Sequence, residues 1–208
     1  AAGATVAAVA AGAAVFKLAQ TSAAAADDIN NTSAALGLST KALQEYRYVG
    51  IQAGLTTEEM DAALTKLTKN LGNGSGEVEN ALYQIGLTAE DLKAAGPDKS
   101  LEMIANGFKN VKDPTTKAAV AMTLFGKSSV RMVNALSGGE ESIAALRGEA
   151  EQIGYVMNGD ALESAGALDD ALDKLGATAT GTANRLAQKM IPGVMKLVGG
   201  LQKGLQPG

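Results

Sequence analysis

One short punctuation mark recurs three times and limits what this chain can fold into more than any other feature. Gly37-Leu38-Ser39, Gly54-Leu55-Thr56 and Gly86-Leu87-Thr88 each set a glycine, a leucine and a hydroxyl residue in the same order. The glycine suits the left-handed position just past a helix end. The Ser or Thr suits the N-cap of the next helix, where its oxygen accepts from an otherwise unpaired backbone N–H. Glu59 stands three residues after Thr56, and Asp91 three after Thr88, as a capping box requires. The leucine sits at N′ and has an apolar partner at N4 each time: Leu38 with Leu43, Leu55 with Met60, Leu87 with Leu92. These corners have almost no loop, so adjacent helices must turn on each other.

The remaining breaks extend the pattern. Gly72 to Gly76 reads as a flexible loop, and Gly96-Pro97-Asp98 as a corner with Asp98 at the N-cap. Asp113-Pro114 places an N-cap before a proline at N1. Gly126 stops a helix, and Gly138-Gly139 and Gly154 to Gly159 mark the last turns. Strand signals are nearly absent, since β-branched residues do not alternate. The chain is therefore expected to be all-α, with helices near 40–53, 57–71, 77–85, 89–95, 99–110, 114–125, 128–137 and 140–153. Apolar faces at helical spacing support this: Leu64, Leu67 and Leu71; Leu101, Ile104 and Phe108; Val120, Leu124 and Phe125. Three regions follow: an Ala-rich N-terminal helix over 1–36, a compact helical subdomain over 38–153, and a long coiled-coil-like helix over 160–203. The last rests on Leu168, Leu172, Leu175, Ala179, Thr182 and Leu186, spaced alternately by four and three, with Pro192 a predicted kink.

Composition narrows the chemistry. Hydrophobic residues make up 46% of the 208 residues, but aromatics only 3%, and much of the rest is alanine. Alanine buries little area and forms helix well, which favours long, thin helices over a thick core. There is no cysteine and no histidine, which removes disulfides, thiolate zinc sites and the commonest general base. The net charge of −4 argues against a basic nucleic-acid surface.

Each motif with chemical potential has a plainer explanation. Gly126-Lys127-Ser128-Ser129 ends like a phosphate loop, but Ala121 stands where the loop needs its first glycine, and the preceding residues are helical. It reads as a helix stop, with Ser128 or Ser129 capping the next helix. Glu58-Glu59, Glu140-Glu141 and Asp169-Asp170 are the carboxylate pairs that glycosidase chemistry would call on. They fall at helix starts or on a helix face, where negative charge suits the dipole or solvent. Lys41, Arg47, Lys66 and Lys69 are interleaved with acids and read as a solvated face. No catalytic, cofactor-binding or metal residue is expected, no cofactor is implied, and the chain is not expected to be an enzyme. Ala1 to Phe16 is uncharged and ends at Lys17, short of the roughly 20 residues of a membrane span. With no basic n-region before it, it reads as part of a helix of a longer chain.

The order of these elements resembles the helical region of bacteriophage-type tail tape-measure proteins, over about residues 20 to 200. The resemblance is carried by Leu36-Gly37-Leu38-Ser39-Thr40-Lys41-Ala42-Leu43, by Ala53-Gly54-Leu55-Thr56 and Leu64-Thr65-Lys66-Leu67, by Tyr83-Gln84-Ile85-Gly86-Leu87-Thr88, and by Met122-Thr123-Leu124-Phe125-Gly126-Lys127-Ser128 and Arg147-Gly148-Glu149-Ala150. The stretch Gly154-Tyr155-Val156-Met157-Asn158-Gly159 departs from it, with glycine where a charged cap is more common. The resemblance implies an internal segment of a structural protein that occupies the tail tube lumen, sets its length during assembly and leaves before the genome. It implies tail tube and tail tip proteins and tail assembly chaperones as partners, a small homo-oligomer such as a trimer, and a place in the virion. Host cytoplasm during assembly and host envelope on ejection would be its other locations. A straight helix of this length would reach roughly 310 Å, which compact corners would shorten greatly. Two other classes fit the residues: a helical partner-binding or chaperone-like module, and a membrane-active segment that uses residues 1–16 or 191–201 to aid genome delivery.

Overall fold

A computed structural model describes residues 21–168, 170 and 174. Two units are distinguished, one of residues 25–163 and one of residues 1–24 with 164–208. In the second unit the described residues, 21–24, 164–168, 170 and 174, are helical. The proposed heptad positions from Leu172 onward, the Pro192 kink and most of both flanking helices lie outside the described residues.

The unit of residues 25–163 is all-α among the described residues, as the sequence predicts. A helix over residues 25–36 (α1) leads to α2 (Thr40–Gln52), α3 (Thr57–Asn73), α4 (Gly76–Gln84), α5 (Ala89–Ala95) and α6 (Pro97–Asn110). Then follow α7 (Pro114–Phe125), a single 3-10 turn (Gly126–Ser128), α8 (Ser129–Leu136), α9 (Gly139–Gln152) and α10 over residues 159–163. All three corners have the geometry their residues call for. Gly37, Gly54 and Gly86 have φ of 68°, 83° and 77°. Ser39 accepts from the Ala42 N–H at 3.1 Å, Thr56 from Glu59 at 3.2 Å and Thr88 from Asp91 at 3.1 Å. Both capping boxes close, with the Glu59 and Asp91 carboxylates accepting the Thr56 and Thr88 N–H at 2.9 and 2.8 Å. Asp113 caps α7 as expected, accepting from Thr116 at 2.8 Å.

Three local expectations are corrected. Gly72 to Gly76 is no loop: α3 runs through to Asn73, Gly74 turns left-handed at φ 57°, and Ser75 caps α4 through the Val78 N–H. It is a fourth tight corner, made without the stapling leucine. Asp98 does not cap α6. That helix begins at Pro97 without a side-chain cap, and the Asp98 carboxylate instead accepts the Ser39 N–H at 2.9 Å, tying the first corner to α6. Ser128 and Ser129 do not cap α8, because the 3-10 turn continues into it; Ser128 Oγ donates to the Glu59 carbonyl at 3.2 Å.

Packing follows from the corners. Leu43, Tyr46, Val49, Met60, Leu82, Leu92, Leu101, Ile104, Phe108, Leu124, Met132 and Leu136 form one continuous core, each almost wholly buried. Each fully buried Leu or Phe contributes roughly 2 kcal/mol of burial free energy. The alanine-rich composition therefore does not yield only thin helices: in this unit most of the larger apolar residues, with several alanines, are gathered into one core. Close approach also uses glycine. A Cβ on Gly107 of α6 would meet the Ile85 carbonyl at 2.6 Å, so the end of α4 presses on α6 only because that position lacks one.

Loss of a capping oxygen at Thr56→Ala or Thr88→Ala is expected to cost about 1 kcal/mol each in urea unfolding. Gly54→Val is expected to cost about 2 kcal/mol or more, wholly through backbone strain, since nothing lies within 4 Å of a Cβ built there. A Gly54→Val cost below that of the cap variants would contradict the left-handed corner.

Candidate functional site

Of the polar centre of this unit, only Lys41 is among the candidate site residues that the sequence offers. Helix α2 is buried over nine consecutive residues, Ala42 to Gly50, which include Gln44, Glu45 and Arg47. A helix buried on every side must satisfy its charged groups internally. Glu45 does so through Arg147 of α9, whose guanidinium lies 2.6 Å from its carboxylate. The same guanidinium pairs with Glu102 of α6 and stands 5.0 Å from the centre of the Tyr46 ring. Tyr46 in turn donates to the Asp98 carbonyl at 2.6 Å. Lys41 reaches Glu151 at 2.8 Å and Glu45 at 3.7 Å, and Lys99 reaches Glu102 at 3.1 Å. Three cations thus face three carboxylates, and α2, α6 and α9 are joined through one guanidinium.

The electrostatics follow the burial. Desolvation pushes the Glu45 carboxyl up, opposed by Arg147. Burial also raises Tyr46 well above the ordinary phenol range. Burial disfavours the charge on Arg147, but Tyr46, Glu45 and Glu102 outweigh it and hold the guanidinium cationic. Glu151 is held low, chiefly by its bond to Lys41. Each carboxylate here is already taken by a cation. The arrangement is suited to holding three helices in register; it leaves no free base aimed at a cavity.

A second ionic centre corrects the expectation for Arg47. It is no part of a solvated face: its side chain is 7% exposed and grips both oxygens of Asp61, at 2.9 and 2.7 Å, and Asp28 at 2.7 Å. The neighbouring Val49, Tyr46 and Leu43 turn this helix inward all round, which overrides the residue's usual preference for water. Lys41, Lys66 and Lys69 do lie exposed. The stretch after α9 is pinned to α2 as well. Gln44 Nε2 donates to the Met157 carbonyl at 3.1 Å, and the Met157 N–H donates to Gln44 Oε1 at 2.8 Å. The Tyr48 and Tyr155 rings meet at 5.3 Å, and Asn158 caps α10 by accepting the Ala161 N–H at 2.8 Å. Here the departure at Gly154 to Gly159 acquires its geometry, with Asn158 as a cap the sequence reading missed.

The remaining motifs are dispersed. Gly126-Lys127-Ser128 is the 3-10 turn between α7 and α8. Glu58 and Glu59 lie in the first turn of α3, and Glu140 and Glu141 in the first turn of α9, where Glu141 pairs with Lys109 at 3.1 Å. Asp169 lies outside the described residues. Among the described residues no group of His, Cys, Asp and Glu could hold a metal ion, and no helix is long and apolar enough to cross a membrane. An apolar cleft of about 300 Å³ opens beside the first corner, lined by Leu38, Leu64, Leu71, Leu92 and Pro97. The sequence signal for Arg147 is its place with Ile143 and Ala150 at helical spacing on an apolar face.

Comparison with known proteins gives one informative likeness. The chain is 31% identical over 109 residues, half of its length, to a probable tape measure protein of Streptomyces phage phiC31. That match takes in 13% of the relative, so the chain spans a small part of its length. No family model matches the chain, and no solved structure matches it. Half of the chain is thus similar to a small part of a probable phage tape measure protein.

Removing one partner from a buried ion pair leaves the others uncompensated, at a cost of roughly 3–5 kcal/mol. Arg147→Ala is therefore expected to lower the unfolding free energy by about 3 kcal/mol. Arg131→Ala, which breaks a half-exposed pair with Glu59, should lose less than about 1 kcal/mol. Equal losses in chemical denaturation would contradict the central role of Arg147.

Proposed function

We propose that this chain is an internal segment of a phage tail tape-measure protein, a structural ruler and not an enzyme. The observation that carries the reading is the 109-residue likeness to the phage phiC31 protein. It includes the role the resemblance implies: occupying the tail tube lumen during assembly, setting tube length, and leaving before the genome. Its partners in this reading are tube and tip proteins, assembly chaperones and further copies of the chain, within the virion tail. An all-α build supports it, because helix length converts directly into distance at 1.5 Å per residue. A buried ionic centre whose carboxylates are all paired is consistent with a structural part.

Two measurements test the proposal. An in-frame deletion of about 40 helical residues from the parent protein should shorten tails by about 60 Å in negative-stain images. Unchanged tail length with loss of infectivity would favour a partner-binding module instead. The purified segment should leave peptidoglycan zymograms blank, and clear lysis would overturn the non-enzymatic reading.

A further inference from the structure

Helix α3 contains a glycine that no neighbouring side chain explains. Glycine inside a helix weakens it relative to alanine. Close packing accounts for it elsewhere: a Cβ on Gly50 would stand 3.0 Å from Met60, and one on Gly107 would stand 2.6 Å from the Ile85 carbonyl. On Gly72 a Cβ would meet nothing within 4 Å. Gly72 instead lines the apolar cleft of about 300 Å³ beside the first corner.

The first corner, α3, α5 and α6 together form this cleft. Leu64 and Leu67 of α3, Leu92 of α5 and Leu101 of α6 line it and are buried. Leu38 and Leu71 line it too, and both are left only partly buried. The polar lining is limited to Thr68, Lys93 and Ser100. Ser100 is already used, its hydroxyl lying 2.9 Å from the Gly96 carbonyl and 3.3 Å from that of Leu92. No carboxylate lines the cleft. Lys93 is exposed and has no ion-pair partner among the described residues. Asp91, close to it in sequence, has its carboxylate bonded to Thr88.

We propose that this cleft is a binding site for one aliphatic chain with an anionic head, a free alkyl carboxylate of medium length. The chain lies among the leucines and the carboxylate pairs with Lys93. An apolar lining with a few polar groups is the usual build of a small-ligand site, and this volume stands at the lower end of their range of roughly 300–1,000 Å³. That suits a single chain and not the two of a phospholipid. One lining cation and no lining carboxylate select one negative charge. A polar ligand would lose its hydration against the leucines without compensation. Bound there, the chain covers Leu38 and Leu71 and ties the first corner to α3, α5 and α6. The inference goes beyond the tape-measure reading and stands independently of it, since neither tail length nor lysis bears on it.

The test titrates the full chain with hexanoate, octanoate and decanoate in a calorimeter, each below its micelle concentration. Affinity should rise by up to about fourfold per added methylene. Saturating octanoate should also raise the thermal midpoint. Gly72→Leu, whose side chain would occupy the open space, should weaken octanoate binding at least about tenfold. Its circular dichroism spectrum and urea midpoint should not fall below those of the wild type, because leucine favours the helix. Lys93→Gln should weaken octanoate binding about threefold and leave octanol binding unchanged. Binding by any other part of the chain is indifferent to both substitutions. Absence of octanoate binding, affinity that ignores chain length, or undiminished binding by Gly72→Leu would each overturn the proposal. So would a Lys93→Gln effect that is absent or equal for octanol. Capture by phosphatidylglycerol vesicles that Gly72→Leu abolishes, without binding of octanoate, would assign the site to a membrane lipid and overturn the free acid.

Discussion

The rest of the structure depends on the burial of α2. Nine consecutive residues of that helix are removed from water, so its apolar positions seed the core and its charged positions must find partners inside. Glu45 and Arg47 meet this demand in different ways. Glu45 draws in Arg147 from α9 and, through it, Glu102 from α6. Arg47 draws in Asp61 from α3 and Asp28 from α1. Neighbours of α2 in four directions are thereby fixed by charge as well as by packing. Buried ion pairs add little net stability once desolvation is counted. Their effect here is geometric: a helix shifted by one turn would leave a carboxylate or a guanidinium alone in an apolar setting.

Much of this fold was legible because its corners are written locally. A glycine, a leucine and a hydroxyl residue within three positions specify a helix end, a staple and a helix start, and nothing distant is needed to read them. The helices from α2 to α9 could accordingly be bounded to within a few residues. The misreadings arise where a side chain serves a distant element. Asp98 has the position and chemistry of an N-cap, but its carboxylate is used 59 residues away on Ser39. Gln44 has no local sign that it pairs with the backbone of Met157, 113 residues on. Arg47 reads as solvated because acids are interleaved with the basic residues around it. Only the assembled bundle removes water from that position. Gly72 to Gly76 differs for the opposite reason: abundant glycine suggests flexibility, but one left-handed residue and one capping serine are enough to make a corner.

The ionic centre went unread for a related cause. Arg147, Glu45 and Glu102 each stand on the apolar face of a helix, and each alone is an anomaly without a direction. Only their juxtaposition cancels the charges. A carboxylate cluster read from sequence is ambiguous between catalysis and structure, and the cations decide it. With Lys41, Lys99 and Arg147 set against Glu45, Glu102 and Glu151, the charge is balanced and every carboxylate is engaged. The exposed pairs, Glu58 with Glu59 and Glu140 with Glu141, serve helix starts, where negative charge offsets the unpaired N–H groups of the first turn.

A compact bundle and the ruler proposed for it make opposite demands on the same residues, and the energetics indicate how both would be met. As one straight helix, residues 25–163 would reach about 210 Å. Straightening would bring the corner glycines out of their left-handed conformation, which the helix tolerates at about 1 kcal/mol each relative to alanine. The capping threonines would lose their bonds, each a matter of about 1 kcal/mol. The ionic centre resists little, because its charges regain water as its pairs separate. The dominant opposing term is the core itself: leucines such as Leu43, Leu82, Leu101 and Leu136 would be uncovered together. An extended state is therefore accessible only where another surface covers those leucines, whether that of further copies alongside or of an enclosing wall. In free solution nothing supplies that cover, and the four corners between α1 and α5 direct the chain to cover itself.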